Sequence, residues 1–455
     1  MSIKPTAEQS NIIYDDSQEI FVNARAGTGK TSTLIEYSKL RRNRIIYIVY
    51  NVTMKESAKD KFPEWVSIYT IHSLAYSVVG KEYSLNLTNN LSIEDIISLG
   101  FLRDSNNDYR FGFNVIQELN AFLNSSDLNF PNSGKETTKI AEKIWLSMID
   151  KKSNTPMSHD GYLKLFHLQQ PKLDYDYILI DESQDSNGVM LDIVNNQTHA
   201  TKVFVGDPYQ KIYGFRGALN VFQTISDKSK IRHLSKSFRF GHEIANVANS
   251  ILSLKDNSDN ISIKGCDIDS KIVTDIDDYG KTIITRTNAT LIDMAINDAV
   301  NNKPFSIQGG SDKIINKSQD IFHLFMGQKH LIKSDYIKTF KNFTEFKGFV
   351  NEINIPEYKL TLSLLDKYDK GLMEMLTLVK NSERSLKDSN KLYITAHKSK
   401  GLEFVNVELA DDFIQLKNNG QDQMIDGEEL NLLYVAATRA VNELKLNESL
   451  RNICY

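Results

Sequence analysis

The chain has 455 residues, of which 41% are hydrophobic and 25% are charged, and its formal net charge is −4. This composition excludes a disordered or fibrous protein, and the length is sufficient for two to four compact units. The absence of a basic excess means that any groove for nucleic acid would have to be local. The two cysteines, Cys266 and Cys454, are too few for a zinc site of their own or for a disulfide framework.

No apolar run is long enough to cross a bilayer, and residues 1–6 lack the apolar region of a signal peptide. We therefore expect a soluble intracellular protein in a reducing compartment, with no membrane partner.

Just before the first strong motif, Thr6 is predicted to cap a short helix that carries Gln9. The amide of Gln9 could donate to and accept from the edge of an adenine, although a surface glutamine is the alternative.

The sequence Ala-Arg-Ala-Gly-Thr-Gly-Lys-Thr at residues 24–31 follows an apolar run and leads into a segment that can continue as a helix. Glycines let backbone N–H groups turn toward an anion, and a helix N-terminus favours negative charge. Lys30 is predicted to reach the β- and γ-phosphates of a nucleotide, and Thr31 to ligate Mg²⁺. The alternative, a loop that only turns the chain, is disfavoured by this context. The predicted nucleotide-binding residues here are Ala26, Gly27, Thr28, Gly29, Lys30, Thr31 and Ser32.

Residues 45–50 are predicted to form a buried parallel strand, because the run is short, apolar and rich in β-branched residues. From about residue 80 to residue 170 the pattern changes to helical periods separated by turns rich in Asn and Ser. This segment is predicted to be a mostly helical insertion without a catalytic motif.

A second apolar strand is predicted to end in the acids Asp181 and Glu182, at the carboxyl edge of a parallel sheet. Asp181 is expected to hold the Mg²⁺ shell, and Glu182 to orient and deprotonate the attacking water. A solvated acidic turn is the alternative, but so apolar a strand should be buried.

The next strand leads into residues 207–218, where Gln210 is predicted to sense a γ-phosphate. In the same loop Tyr213 and Phe215 can offer flat faces to unstacked bases, or can be core residues.

Together with residues 234–240, 393–404 and 432–440, these stretches resemble, in order, the motifs of the superfamily 1A helicases, the UvrD/Rep-like class. Within that class the chain is most similar to the F-box DNA helicase family and its relatives without an F-box. The stretches that carry this closer resemblance are residues 157–165, 237–241, 283–289 and 411–413.

The resemblance implies an α/β protein with two RecA-like P-loop NTPase domains, each with parallel sheets and a mostly helical insertion. The expected first domain is 1A, at residues 1–82 and 172–232, with insertion 1B at 83–171. The expected second domain is 2A, at residues 233–311 and 391–455, with a small insertion 2B at 312–390.

The resemblance also implies that ATP and Mg²⁺ are the cofactors. The expected catalytic residues of the first domain are Lys30, Asp181, Glu182 and Gln210. Arg239 and Arg439 of the second domain are expected to act on the γ-phosphoryl group as arginine fingers. Phe238 is expected to stack on adenine, and Glu403 is placed among the nucleotide-binding residues. The candidates for the path of the DNA strand are Tyr50, Tyr76, Tyr213, Phe215 and His397.

The implied function is an ATP-dependent 3′-to-5′ helicase or translocase in repair, recombination or replication, with single-stranded and partially duplex DNA as partners. Its expected location is cytoplasmic or nucleoid-associated, or nuclear in a eukaryote. Two alternatives stay open: a translocase that strips recombinase filaments or other proteins from single strands, and an ATP-gated DNA-binding protein. Recombinase or replication proteins are candidate partners. Because the phosphate loop begins so early, we expect no F-box ahead of it and no ubiquitin-ligase partner. No nuclease segment is recognised after Arg439, so we do not expect a RecB-type nuclease-helicase.

Overall fold

The structure is a computed structural model that describes residues 4–102, 106–214, 217, 219–225, 230–255, 259, 261–277, 280–353, 356–413 and 426–454. The chain forms two compact units, residues 1–235 and 236–455. Each unit contains a six-stranded sheet with parallel strand pairs. The predicted α/β class with parallel sheets is confirmed.

In the first unit, the strands of the large sheet lie in the order β3-β2-β6-β7-β1-β8, and β4 and β5 form a separate short pair. The strands are β1 (Glu19–Ala24), β2 (Ile45–Val49), β3 (Val66–Thr70), β4 (Leu87–Thr88), β5 (Met157–Ser158), β6 (Tyr177–Ile180), β7 (Thr201–Gly206) and β8 (Ile231–Leu234).

Burial on both faces explains why β2 forms at the predicted place. All five of its residues are at most 1% exposed, and it pairs in parallel with β3 and β6. Burying a large apolar side chain contributes about 1.5–3 kcal/mol, so an apolar β-branched run is stabilised inside such a sheet. The prediction of a buried parallel strand here is confirmed.

The helices of the first unit connect these strands and also build the insertion. They are α1 (Ala7–Ile13), α2 (Lys30–Lys39), α3 (Val52–Lys59), α4 (Ile71–Val78), α5 (Ile93–Ser98), α6 (Asn106–Asn124), α7 (Glu136–Ile149), α8 (His159–Leu168), α9 (Gly188–Asn195) and α10 (Val221–Thr224). The segment between β3 and β6 is mostly helical, as its periodicity predicts. Helices α6, α7 and α8 pack around buried residues that include Phe122, Trp145 and Phe166.

In the second unit the strand order is β11-β12-β10-β13-β14-β9. The strands are β9 (Lys271–Val273), β10 (Lys281–Thr285), β11 (Ser306–Ile307), β12 (Lys391–Thr395), β13 (Phe404–Leu409) and β14 (Ala440–Lys445). The expected domain boundary at residues 232/233 falls inside β8, which pairs with β1 in the first sheet.

The helices of the second unit are α11 (His242–Ser253), α12 (Asn288–Val300), α13 (Asp312–Phe325), α14 (Asp335–Thr339), α15 (Phe343–Ile353), α16 (Pro356–Tyr368), α17 (Leu372–Ser382), α18 (Ala396–Ser399), α19 (Gly427–Ala437) and α20 (Glu448–Cys454). Helices α13 to α17 lie between β11 and β12 in the chain, where the 2B insertion is expected. Among the residues that the structure describes, no helix is both long and apolar enough to span a membrane.

Candidate nucleotide site

The loop between β1 and α2 has the backbone of an anion-binding turn. Gly27 and Gly29 have φ angles of 73° and 78°, which glycine adopts without steric cost. Gly29 directly precedes the first turn of α2, where backbone N–H groups have no partner within the helix. The Thr28 hydroxyl donates to the carbonyl of Arg25 at 2.8 Å and braces the loop. The N-terminus of α2 is therefore presented for a phosphate.

Lys30, the first residue of α2, is paired with the proposed base. Its Nζ lies 3.1 Å from Oε1 and 3.3 Å from Oε2 of Glu182, and both side chains are largely buried. Burial alone would lower the pKa of Lys30, but the negative charges of Glu182, Asp181 and Asp207 outweigh burial and raise it. The lysine is held as a cation at the mouth of the phosphate loop.

Asp181 follows β6 and accepts three hydrogen bonds. Its Oδ2 accepts from the Thr31 hydroxyl at 3.1 Å and from the Tyr47 hydroxyl at 2.5 Å, and its Oδ1 accepts from the backbone N–H of Glu182 at 2.9 Å. Burial and the charge of Glu182 raise the pKa of Asp181, against the opposing effect of Lys30. The Thr31 hydroxyl donates its proton here, which leaves its oxygen lone pairs for a cation.

Glu182 has a left-handed backbone conformation, with φ 51° and ψ 41°. For a residue other than glycine such a conformation costs about 1–3 kcal/mol, and it persists only where surrounding contacts hold it. Here the turn directs the carboxylate back to Lys30 and to the side chain of Gln184, whose Nε2 donates to Oε2 of Glu182 at 2.6 Å.

Gln184 connects the acidic turn to the loop after β7. Its Oε1 accepts from the backbone N–H of Asp207 at 3.0 Å, and Oδ2 of Asp207 accepts from Nε2 of Gln210 at 2.8 Å. All three side chains are buried. Gln210, the predicted γ-phosphate sensor, is thus connected to Glu182 through two intermediate residues.

Sequence reasoning missed Tyr47, Gln184 and Asp207. The available signal was the position of both Gln184 and Asp207 shortly after a strand end: Asp207 directly follows β7, and Gln184 lies four residues after the end of β6. Tyr47 offered a weaker one, a single hydroxyl in an otherwise aliphatic strand.

Gln9 lies on α1, in a capping box with Thr6. Its Oε1 accepts from the backbone N–H of Thr6 at 3.0 Å, and its own N–H donates to the Thr6 hydroxyl at 3.1 Å. The predicted cap is confirmed, and the reading of adenine by Gln9 stays a prediction. Ala26 and Thr28 are buried, whereas Ser32 is exposed on the first turn of α2.

In the second unit, Arg239 lies between two acceptors. Its Nε donates to Oε2 of Glu403 at 3.0 Å, and its Nη1 donates to the carbonyl of Thr438 at 3.1 Å. Phe238, the residue before it, is 39% exposed. The structure therefore brings together the three motifs that carry Arg239, Glu403 and Arg439.

Arg439 itself is only 1% exposed. Its Nε donates to the carbonyl of Val435 at 2.8 Å, its Nη1 to that of Leu402 at 3.1 Å, and its Nη2 to the Thr438 hydroxyl at 3.2 Å. These contacts fix the guanidinium within its own unit. The roles of both arginines at the γ-phosphate stay predictions.

The candidate residues for the DNA path differ in their surroundings. Tyr50 and Tyr213 stack with ring centroids 5.7 Å apart and an interplanar angle of 11°. Tyr76 packs edge-on against Tyr162, and the half-buried His397 lies on α18. Phe215 lies outside the described residues.

The donor set fits ATP with Mg²⁺. A buried cationic lysine and a helix N-terminus suit phosphate, while one hydroxyl and one carboxylate suit a cation that is also held by phosphate oxygens. Lys30, Thr31 and Asp181 would hold these groups, and Glu182 lies beside them as a candidate base.

Residues 160–230 match the family described as UvrD/REP helicase N-terminal domain. The chain is 32% identical to F-box DNA helicase protein 1 of Schizosaccharomyces pombe, over 98% of this chain and 58% of that protein. It is 31% identical to F-box DNA helicase 1 of Gallus gallus, over 99% of this chain and 50% of that protein. A probable DNA helicase II homolog of Mycoplasma genitalium is 25% identical, over 51% of this chain and 40% of that protein.

The chain thus spans between one half and three fifths of the two F-box helicases it matches. The predicted resemblance to this family is confirmed. The phosphate loop, the acidic strand end and these matches together show that the chain is similar to the UvrD-like superfamily 1 helicases.

Proposed function

We propose that this protein is an ATP-dependent DNA helicase or translocase. The observation that supports this most directly is the convergence of Lys30, Thr31, Asp181 and Glu182 from α2 and the end of β6. A passive binding protein has no need for a buried carboxylate beside the lysine of a phosphate loop. The names of the three similar proteins reported above, all DNA helicases, support DNA as the substrate.

In the proposed reaction, Lys30 binds the β- and γ-phosphates and is released from Glu182 as it does so. Glu182 then accepts a proton from the attacking water, while Gln184 and Asp207 hold Gln210 near the γ-phosphate. Thr31 and Asp181 would hold Mg²⁺, which would neutralise phosphate charge. Arg239 and Arg439 are proposed to offset the charge that develops on the transferred phosphoryl group.

We further propose movement from 3′ to 5′ along a single strand, with repair or recombination intermediates as substrates. Cycles of nucleotide binding and hydrolysis would alternate the grip on the strand. Stacking on Tyr50 and Tyr213 would be tolerant of sequence.

Strand displacement on duplexes with either a 3′ or a 5′ single-stranded tail tests this function. We expect ATP-dependent unwinding from the 3′ tail, and none with Lys30→Ala on either substrate. Equal unwinding from the 5′ tail would contradict the proposed 3′-to-5′ polarity. Unwinding by Lys30→Ala would contradict the assignment of the ATP site. DNA-stimulated hydrolysis without strand displacement would favour a translocase that does not unwind.

A further inference from the structure

The hydroxyl of Tyr47 reaches the nucleotide site from inside the sheet. Tyr47 is 1% exposed in the middle of β2, and its ring stacks on Phe62 with centroids 4.3 Å apart. Its hydroxyl donates to Oδ2 of Asp181 at 2.5 Å. The backbone N–H of Asp181 also donates to β2, to the carbonyl of Ile48 at 3.0 Å. Strand β2 therefore fixes both the backbone and the side chain of this aspartate.

The hydrogen bonds on Asp181 determine which way Thr31 points. Tyr47 and Thr31 both donate to the same oxygen, Oδ2, and the backbone N–H of Glu182 occupies one position on Oδ1. A carboxylate with donors on both oxygens cannot rotate without breaking one of these bonds. While Thr31 donates its proton to this fixed oxygen, its lone pairs stay directed away from Asp181.

We propose that Tyr47 is a positioning residue for the divalent cation, acting through Asp181 and Thr31. The proposal rests on the proposed function, because it concerns the Mg²⁺ that accompanies the nucleotide. Residues that hydrogen-bond metal ligands orient them, and their loss typically lowers metal affinity about 10- to 100-fold. Because Tyr47 acts through Asp181, we expect its loss to lower the affinity for Mg²⁺ rather than to alter the chemistry of hydrolysis.

A second buried tyrosine of the same unit provides the matched control. Tyr37 on α2 is 0% exposed, and among the described residues its hydroxyl has no hydrogen-bond partner. Removing that hydroxyl takes an oxygen out of the same core without touching Asp181. Tyr47→Phe and Tyr37→Phe therefore differ in whether the lost hydroxyl held the aspartate.

The experiment measures binding of a fluorescent ADP analogue to wild type and both variants, first in EDTA and then during titration with Mg²⁺. In Tyr47→Phe we expect unchanged affinity in EDTA and a half-saturating Mg²⁺ concentration raised by about 10-fold. In Tyr37→Phe we expect both values to match wild type. Retained binding in EDTA shows that the Tyr47→Phe protein is folded.

A half-saturating Mg²⁺ concentration in Tyr47→Phe equal to that of wild type would overturn the proposal. So would an equal increase in Tyr37→Phe, since that would reflect general loosening of the core. A Tyr47→Phe protein that loses metal-free binding would show a structural role instead. Failure of wild type to bind the nucleotide in any condition would instead count against the proposed function.

Discussion

Nζ of Lys30 lies 3.1 Å from Oε1 of Glu182, so the positive charge of the phosphate-loop lysine is paired with the negative charge of the residue proposed as the base. In the proposed reaction, a γ-phosphate displaces this carboxylate from the lysine before hydrolysis. The same exchange would free Glu182 to accept a proton from water. The ion pair therefore connects nucleotide binding to the availability of the base.

Replacing Glu182 by Gln should separate binding from turnover. We expect ATP affinity to be retained, because Lys30 stays free for phosphate, and ATP turnover to fall by at least about 100-fold. Equilibrium binding of ATP together with steady-state hydrolysis measures both. Lys30→Ala is the contrasting variant and should lose binding as well. Wild-type turnover by Glu182→Gln would show that the base lies elsewhere.

The sequence predicted the phosphate loop and the acidic strand end because their chemistry is local. Each needs only a strand, a turn and a few consecutive residues, as at residues 24–31. The contact of Tyr47 with Asp181 depends instead on β2 pairing with β6, across the insertion that separates them in the chain. Nothing in a hydroxyl on an apolar strand specifies that pairing.

The link from Gln184 to Asp207 was beyond sequence reasoning for the same reason. This link requires β6 and β7 to be neighbours in the register that places Ile180, the last residue of β6, opposite Phe204 near the end of β7. The expected boundary at residues 232/233 falls inside β8. Pairing of β8 with β1 is a tertiary interaction and has no local pattern.

Arg239 provides a test in the second unit. Its contacts with Glu403 and the carbonyl of Thr438 hold the guanidinium in place, and a role on the γ-phosphate predicts a turnover loss of about 1,000-fold in Arg239→Ala. Affinity for single-stranded DNA without nucleotide should change little. Arg384→Ala removes an exposed arginine of the same unit and is the control. If the two variants hydrolyse ATP equally, Arg239 has no such role.

The buried amine of Lys164 is expected to make the stability of the first unit depend on pH. It is fully buried on α8, where its Nζ donates to the carbonyls of Ser125 at 2.7 Å and Asp127 at 2.6 Å. Burial lowers the pKa of Lys164 to about 8, against the smaller opposing effects of Asp127 and Asp192. The unfolded chain keeps the ordinary, higher pKa and therefore binds more protons between these values. The contribution of Lys164 to the free energy of unfolding thus rises as pH increases above about 8, by at most about 1.4 kcal/mol per pH unit.

Urea denaturation at several pH values between about 7.5 and 9.5 measures this contribution. Lys164→Met should remove the rise, while Lys143→Met, at an exposed position on α7, should keep it. Parallel pH profiles for wild type and Lys164→Met would contradict the lowered pKa.

Substitution of the stacked residues Tyr50 and Tyr213 tests whether they lie on the path of the DNA strand. Their rings are nearly parallel at 5.7 Å, and a base that stacks on either ring would contribute about 1–3 kcal/mol. We expect Tyr50→Ala and Tyr213→Ala each to weaken binding of a labelled single-stranded oligonucleotide by about that amount at fixed salt, measured by fluorescence anisotropy. The effects should not add in the double variant, because each ring supports the other.

The control variant Tyr14→Ala removes a tyrosine that is 70% exposed in the same unit and should have no effect on this binding. Unchanged affinity in both single variants would mean that the two tyrosines only pack against each other, and the strand path would have to be sought on other residues.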